Sequence, residues 1–275
     1  MSRISQCFAN LKADGQTALI PYITAGDPEP WVTVPILHAL VDAGANILEL
    51  GIPFSDPMSD GAIIQKACER ALKNDVSISQ VLDMVAEFRK KDTETPIVLM
   101  GYANPIESMG YEAFAKKAQQ VGVDGVLTVD MPPEETDEFL PLMTEHGIDT
   151  IFLVAPTTTK ERMAYIAQHA KGFIYYVSIK GVTGSAVLDM AEVADKLSQL
   201  QQCTNLPLGV GFGIRDGKSA AAVSKVADGV VVGSTLVRCI AEHADRPENI
   251  AQAVASLLAE MRHAINAQDN ALANA

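Results

Sequence analysis

One pattern recurs eight times along the chain: a short β-rich apolar run, a loop, then a helical stretch. The runs are Ala18–Thr24, Ile47–Leu50, Ile97–Tyr102, Gly125–Thr128, Thr150–Val154, Phe173–Ser178, Leu208–Gly211 and Gly229–Val232. Most stay apolar without polar alternation, as strands buried on both faces do. Between them, Val81, Met84, Val85 and Phe88 recur at helical spacing behind Ser77-Ile-Ser-Gln80, a capping-box sequence. Tyr111, Phe114, Ala115 and Ala118 repeat the spacing. Thr158-Thr-Lys-Glu161 reads as a second capping box, opening a helix with Met163, Ile166 and Ala167 on one face. A last helix from about Pro247 carries Ile250, Val254, Leu257, Met261 and Ile265. Eight units in 275 residues average roughly 34 each, the spacing of a (β/α)8 barrel. A doubly wound sheet also alternates, but no GxGxxG follows the first strand. The expectation is an α/β chain folded as one TIM-barrel domain over 1–275, with additional short helices. Its Ala- and Asn-rich end, 266–275, is expected to fray.

Composition excludes several function classes. With 21 Lys+Arg against 34 Asp+Glu, the formal charge is −13, and no basic cluster offers itself to a nucleic-acid backbone. No apolar run approaches the roughly 18 residues of a membrane span. The beginning, Met1-Ser-Arg-Ile-Ser-Gln-Cys7, lacks the apolar core of a signal peptide. Cys7, Cys68, Cys203 and Cys239 are scattered, with no CxxC spacing. A cytoplasmic protein is the expectation.

In a barrel of this type chemistry collects at the C-terminal strand ends and in the loops that follow them. The densest such segment is Leu48-Glu-Leu-Gly-Ile-Pro-Phe-Ser-Asp-Pro-Met-Ser-Asp-Gly61. Strand alternation puts Leu48 and Leu50 on one face and Ile47, Glu49 and Gly51 on the other. If the leucines meet the helix layer, Glu49 points into the barrel near its mouth. Desolvation there raises a carboxyl pKa, which suits a general acid at neutral pH; a structural Glu bonded to neighbouring strands is the alternative. Asp56 and Asp60 lie in the following loop, stiffened by Pro53 and Pro57. By residue chemistry alone Asp60 is first a helix cap. Tyr175 and Tyr176 must face opposite ways, so one turns inward. The glycine-rich turns Gly209-Val-Gly-Phe-Gly-Ile214 and Gly233-Ser-Thr-Leu-Val-Arg238 follow strands seven and eight, where barrels commonly bind phosphate through backbone N–H groups. The histidines (His38, His146, His169, His243, His263) fall in helices or loops away from the mouth, so an imidazole metal site is not expected. No lysine lies within a strand, which disfavours a Schiff base. What remains is acid–base chemistry on a phosphorylated small molecule. Its pocket is lined by Tyr22, Met100, Tyr102, Leu127 and Phe212, apolar enough for a flat ring.

These residues carry a family pattern. Ile20-Pro-Tyr-Ile-Thr-Ala-Gly-Asp-Pro28, Glu49-Leu-Gly-Ile-Pro-Phe-Ser-Asp-Pro57, Ser59-Asp-Gly61, Tyr102-Ala-Asn-Pro105, Gly181-Val-Thr-Gly184 and Gly211-Phe-Gly-Ile214 occur in order. By them the chain resembles the tryptophan synthase alpha subunit along nearly its whole length. The resemblance implies retro-aldol cleavage of indole-3-glycerol phosphate to indole and glyceraldehyde 3-phosphate, a lyase step late in tryptophan biosynthesis. It implies that Glu49 moves protons at indole C3 and at the side-chain hydroxyl, while Asp60 stabilises charge at the indole N–H, so Asp60 becomes catalytic rather than a cap. Tyr175 falls on an active-site tyrosine, Gly184, Gly213, Gly233 and Ser234 on phosphate-binding positions, and Phe212 beside the indole. Asp56 and Thr183 fall in loops that meet the partner or close over substrate. The implied partner is a beta subunit in an α2β2 assembly, with pyridoxal phosphate only in that subunit and no cofactor or metal on this chain. Two positions depart from the pattern: Ile179, where many members carry Arg, and Tyr22, where the aromatic is often Phe. Another phosphate-binding barrel isomerase or epimerase, or a non-catalytic regulatory subunit, are the competing readings.

Overall fold

The computed structural model describes residues 1–178, 190–211 and 213–273. Eight parallel strands, β1 (Ala18–Thr24), β2 (Leu48–Gly51), β3 (Ile97–Gly101), β4 (Gly125–Thr128), β5 (Asp149–Val154), β6 (Ile174–Val177), β7 (Leu208–Gly211) and β8 (Gly229–Val232), pair in sequence order and close β8 onto β1. The helices are α1 (Arg3–Ala13), α2 (Thr33–Asp42), α3 (Ala62–Leu72), α4 (Ile78–Phe88), α5 (Ala103–Met109), α6 (Tyr111–Val121), α7 (Phe139–Glu145), α8 (Lys160–His169), α9 (Met190–Gln201), α10 (Gly217–Ser224), α11 (Ser234–Glu242) and α12 (Ile250–Ala273). The TIM barrel expected from the repeat is the fold observed, and α5 and α11 are among the additional short helices.

Alternation along the strands sorts side chains into two layers. Leu48, Leu50, Leu99, Val126, Tyr176, Val230 and Val232 face outward into the helices. Ile20, Ile47, Val98, Leu127, Ile151, Phe173, Tyr175 and Val231 fill the interior. The lower end is plugged by α1, whose Ile4, Phe8 and Leu11 join the interior cluster, with the Phe8 and Phe173 ring centroids 5.7 Å apart. An apolar plug below means that any carboxylate on the inner face near the top has water on one side at most.

Ser77 and Gln80 form the capping box of α4 as expected. At α8 the cap is one residue later than the sequence pattern predicts: Thr159 accepts from Arg162 N–H, while the Thr158 hydroxyl accepts from Ala155 N–H and closes the preceding turn. Strand three also stops one residue early, because Tyr102 takes the N-cap position of α5.

The end of the chain, expected to fray, is helical where it is described. α12 continues to Ala273, and Asp269 within it is buried. Its carboxylate accepts from the Thr17 backbone N–H at 2.9 Å and from the Thr17 hydroxyl at 2.9 Å. Arg262, two turns earlier on the same helix, donates to Thr17 O and Asn46 Oδ1, both at 3.0 Å. The helix end is therefore pinned to the start of β1, a tie that local composition does not announce.

Candidate active site

Glu49 is central on β2, its Cα in register with Tyr22 on one side and Val98 on the other. Its outward neighbours Leu48 and Leu50 enter the helix layer, so Glu49 turns inward as alternation requires. It is 2 % exposed, and its Oε1 has no hydrogen-bond partner among the described residues. The structural alternative, a Glu bonded across strands through that oxygen, finds no support. Burial pushes the Glu49 carboxyl up from 4.5 to about 8, and the negative charge of Asp60 adds to this. At neutral pH the group carries its proton.

Asp60 comes from the loop after β2, 8 % exposed and close enough for its charge to act on Glu49. It does not cap α3; the N-cap is Gly61, and no side chain bonds there. Instead Asp60 Oδ2 accepts a hydrogen bond of 2.9 Å from the Tyr102 hydroxyl. The same hydroxyl accepts from Ser59 N–H at 3.0 Å. Gln65, one turn into α3, donates to the Asp60 carbonyl at 2.9 Å and to Pro57 O at 3.4 Å. Burial raises the Asp60 pKa, and the bond from Tyr102 opposes the rise by favouring the charged form. The two carboxyls thus sit in opposed environments, one bare and neutral, the other given a donor.

Two tyrosines near these carboxyls each lie across a glycine of the next strand. Tyr175 turns inward and Tyr176 outward. A Cβ at Gly211 would lie 2.0 Å from the Tyr175 hydroxyl, and one at Gly51 would lie 2.2 Å from the Tyr22 hydroxyl. Only glycine leaves these rings room to lie over the neighbouring strand. The hydroxyl by which Tyr22 departs from the usual Phe makes a 3.2 Å hydrogen bond with Thr24 Oγ1. Burial, and then the carboxylates Glu49 and Asp60, hold the Tyr175 phenol well above its ordinary pKa, so it stays a donor. Met100 and Leu127 sit in register on β3 and β4 and complete the apolar wall.

At β7 and β8 the glycine turns converge. Gly213 has φ +80°, a left-handed conformation that glycine adopts without strain. Gly233 is the N-cap of α11 and Ser234 its first residue. Thr235, one residue further on, donates from its hydroxyl to Ile214 O at 2.8 Å and ties the two turns together. The sequence reading missed Thr235 and Gln65; both stand in the first turn of a helix beside a functional loop, and that position is the signal available. The free N–H groups at the start of a helix suit an anion.

Of the remaining expected site residues, Asp56 is exposed on the loop after β2, accepting from the Ser55 hydroxyl, with Met58 beside it 73 % exposed. Ile179, Thr183, Gly184 and Phe212 lie outside the described residues. No group of His, Cys, Asp and Glu among the described residues is arranged to hold a metal ion. His38 is stacked on Phe88 in the helix layer, and His146, His169 and His243 bond to carbonyls four residues earlier.

A closed parallel barrel with two buried carboxyls from one strand and the loop after it, and with joined glycine turns after its last two strands, is the frame of an α/β-barrel enzyme. Residues 8–266 match the family described as tryptophan synthase alpha chain. The tryptophan synthase alpha chain of Thioalkalivibrio sulfidiphilus is 60 % identical over 266 residues, 97 % of this chain and 100 % of that one. The Marinobacter nauticus protein of the same name is 59 % identical, covering 97 % and 98 %. Among solved structures, tryptophan synthase subunit alpha from Legionella pneumophila superposes with a TM-score of 0.90 at 47 % identity, covering 97 % of this chain and 99 % of that one. The chain belongs to the tryptophan synthase alpha chain family.

Proposed function

We propose that Glu49 and Asp60 together cleave the C3–C3′ bond of indole-3-glycerol phosphate. The overall reaction, a lyase step of tryptophan biosynthesis, is the alpha-chain activity that family membership carries. One observation supports the division of labour most directly: the two carboxyls are close enough for the Asp60 charge to act on Glu49, yet Glu49 Oε1 is buried without a donor while Asp60 has Tyr102. Environments that push two carboxyls apart are what acid and base roles require. Glu49 delivers its proton to indole C3, and the positive charge at the ring nitrogen is met by Asp60. The Glu49 carboxylate so formed takes the proton of the C3′ hydroxyl as the C–C bond breaks. Indole and glyceraldehyde 3-phosphate leave, and Glu49 is again neutral. The step balances on this chain's own residues, with no cofactor and no metal.

Tyr22, Met100, Tyr102, Leu127 and Tyr175 support a slot for the flat indole, with Phe212 proposed beside it. Backbone N–H groups at Gly213, Gly233 and Ser234, joined by Gly184, are proposed to hold the phosphate. Binding there, away from the bond that breaks, positions the reacting carbon. The exposed Asp56 and Met58 support docking of a beta subunit carrying pyridoxal phosphate, in an α2β2 assembly in the cytoplasm, with Thr183 proposed to take part.

Indole release from indole-3-glycerol phosphate, with and without the beta subunit, tests the assignment. Glu49→Gln is expected to lose roughly 10²–10⁴-fold in rate while still binding glyceraldehyde 3-phosphate. Wild-type turnover by that variant would remove Glu49 from its role. Failure of the two chains to co-elute on gel filtration would remove the assembly.

A further inference from the structure

Tyr102 was expected as a wall of the indole slot, yet its hydroxyl is fully engaged with the loop that carries Asp60. It donates to Asp60 Oδ2 at 2.9 Å and accepts from Ser59 N–H at 3.0 Å, so one phenol grips two consecutive residues of the loop. The ring itself is buried, and Phe54 of the same loop packs on it with centroids 5.2 Å apart. Asp60 has no other side-chain hydrogen bond among the described residues. Its Oδ1 is therefore the oxygen left for a ligand.

We propose that Tyr102 is the positioning residue of Asp60: its hydroxyl ties up Oδ2, favours the charged form of the carboxyl and leaves Oδ1 for the ring N–H. The proposal rests on the assignment of Asp60 made above. A carboxylate held by one hydrogen bond to a buried donor loses rotational freedom at no cost to its remaining acceptor. The other groups acting on Asp60 do not replace this. Glu49 from β2, Tyr22 from β1, Tyr175 from β6 and Cys68 from α3 sense its charge without donating to it.

The test is a cycle of wild type, Tyr102→Phe, Asp60→Asn and the double variant, assayed by indole release across pH 5–9 with the beta subunit present. Tyr102→Phe keeps the ring and should lower kcat, with KM little changed, by roughly 10- to 100-fold, as expected for losing a hydrogen bond to a charged group. Its acid limb in kcat/KM should move to higher pH, because Asp60 then ionises less readily. In the Asp60→Asn background the same change should cost nothing further. Equal losses in both backgrounds, or an unmoved acid limb, would make Tyr102 a packing residue and overturn the proposal. Wild-type turnover by Asp60→Asn would instead overturn the assignment of Asp60 itself. Replacing Tyr102 by 3-fluorotyrosine, which preserves fold and hydroxyl, provides the opposite perturbation. A stronger donor should move the acid limb to lower pH, and no movement counts against the proposal.

Discussion

The neutral Glu49 has a consequence for stability that is separable from catalysis. In the unfolded chain this carboxyl ionises near 4.5; in the barrel it holds its proton up to about 8. Between those values the folded form binds a proton that the unfolded form has released. Unfolding therefore releases a proton, and stability falls as pH rises, by about 1.4 kcal/mol per unit while the window lasts. The contribution is fully present below 4.5 and gone above about 8. Gln has the shape of the protonated acid and does not titrate. Relative to wild type, Glu49→Gln should thus become steadily more stable from pH 5 upward and level off near pH 9, a change on the order of 4 kcal/mol across the range. Urea unfolding of both proteins at five pH values measures this, since other titrating groups largely cancel in the difference. A difference that stays flat with pH would mean that Glu49 ionises normally in the fold. The general-acid assignment would then lose its physical basis, whatever the variant's activity.

Two further predictions concern the frame around the site. Arg70 on α3 donates to both oxygens of the buried Asp27 at 2.6 and 2.8 Å, tying the loop after β1 to the helix that follows Asp60; Arg70→Ala strands that carboxylate and should cost roughly 3–5 kcal/mol in urea unfolding at pH 7, and a loss below 1 kcal/mol would show the pair to be solvated. Asp269→Ala leaves the Thr17 N–H unpaired in a buried place and should cost roughly 1–3 kcal/mol, with amide exchange at the end of α12 accelerating; unchanged exchange would mean that the helix end is held elsewhere.

Much of this site was legible because it sits on strands. Alternation puts Glu49 on the face opposite Leu48 and Leu50 and separates Tyr175 from Tyr176, so Glu49 must turn inward once the leucines meet the helices. Asp60 is different. It stands in a loop directly before a helix, where local rules make an aspartate a cap, and the structure gives it Tyr102 from the end of the next strand instead. The spacing of 42 residues between them carries no local signal. The same holds for Asp269 and Thr17, 252 residues apart. The misplaced cap at α8 has a nearer cause: two adjacent threonines both satisfy the pattern, and the first is taken by the turn before the helix.

The order of strands around the mouth also answers how a chain of charge −13 receives an anion. Between Tyr175 on β6 and Tyr22 on β1 lie only β7 and β8, whose turns present Gly213, Gly233 and Ser234. Beyond Tyr22 come Glu49 on β2 and Asp60 in its loop. Tyrosine rings seated over Gly211 and Gly51 thus bound an arc of backbone on one side and the carboxyls on the other. Under the proposed assignment, the phosphate meets peptide N–H groups and a helix start, not side-chain cations. Two ionised carboxylates in one low-dielectric cavity would still repel it. Burial removes one of those charges by keeping Glu49 protonated, so the desolvation that suits Glu49 to the proposed acid role also lessens the repulsion of an anionic substrate. Asp60 is the carboxyl given a donor that favours its charge, and its proposed partner, the indole nitrogen, becomes positive during reaction.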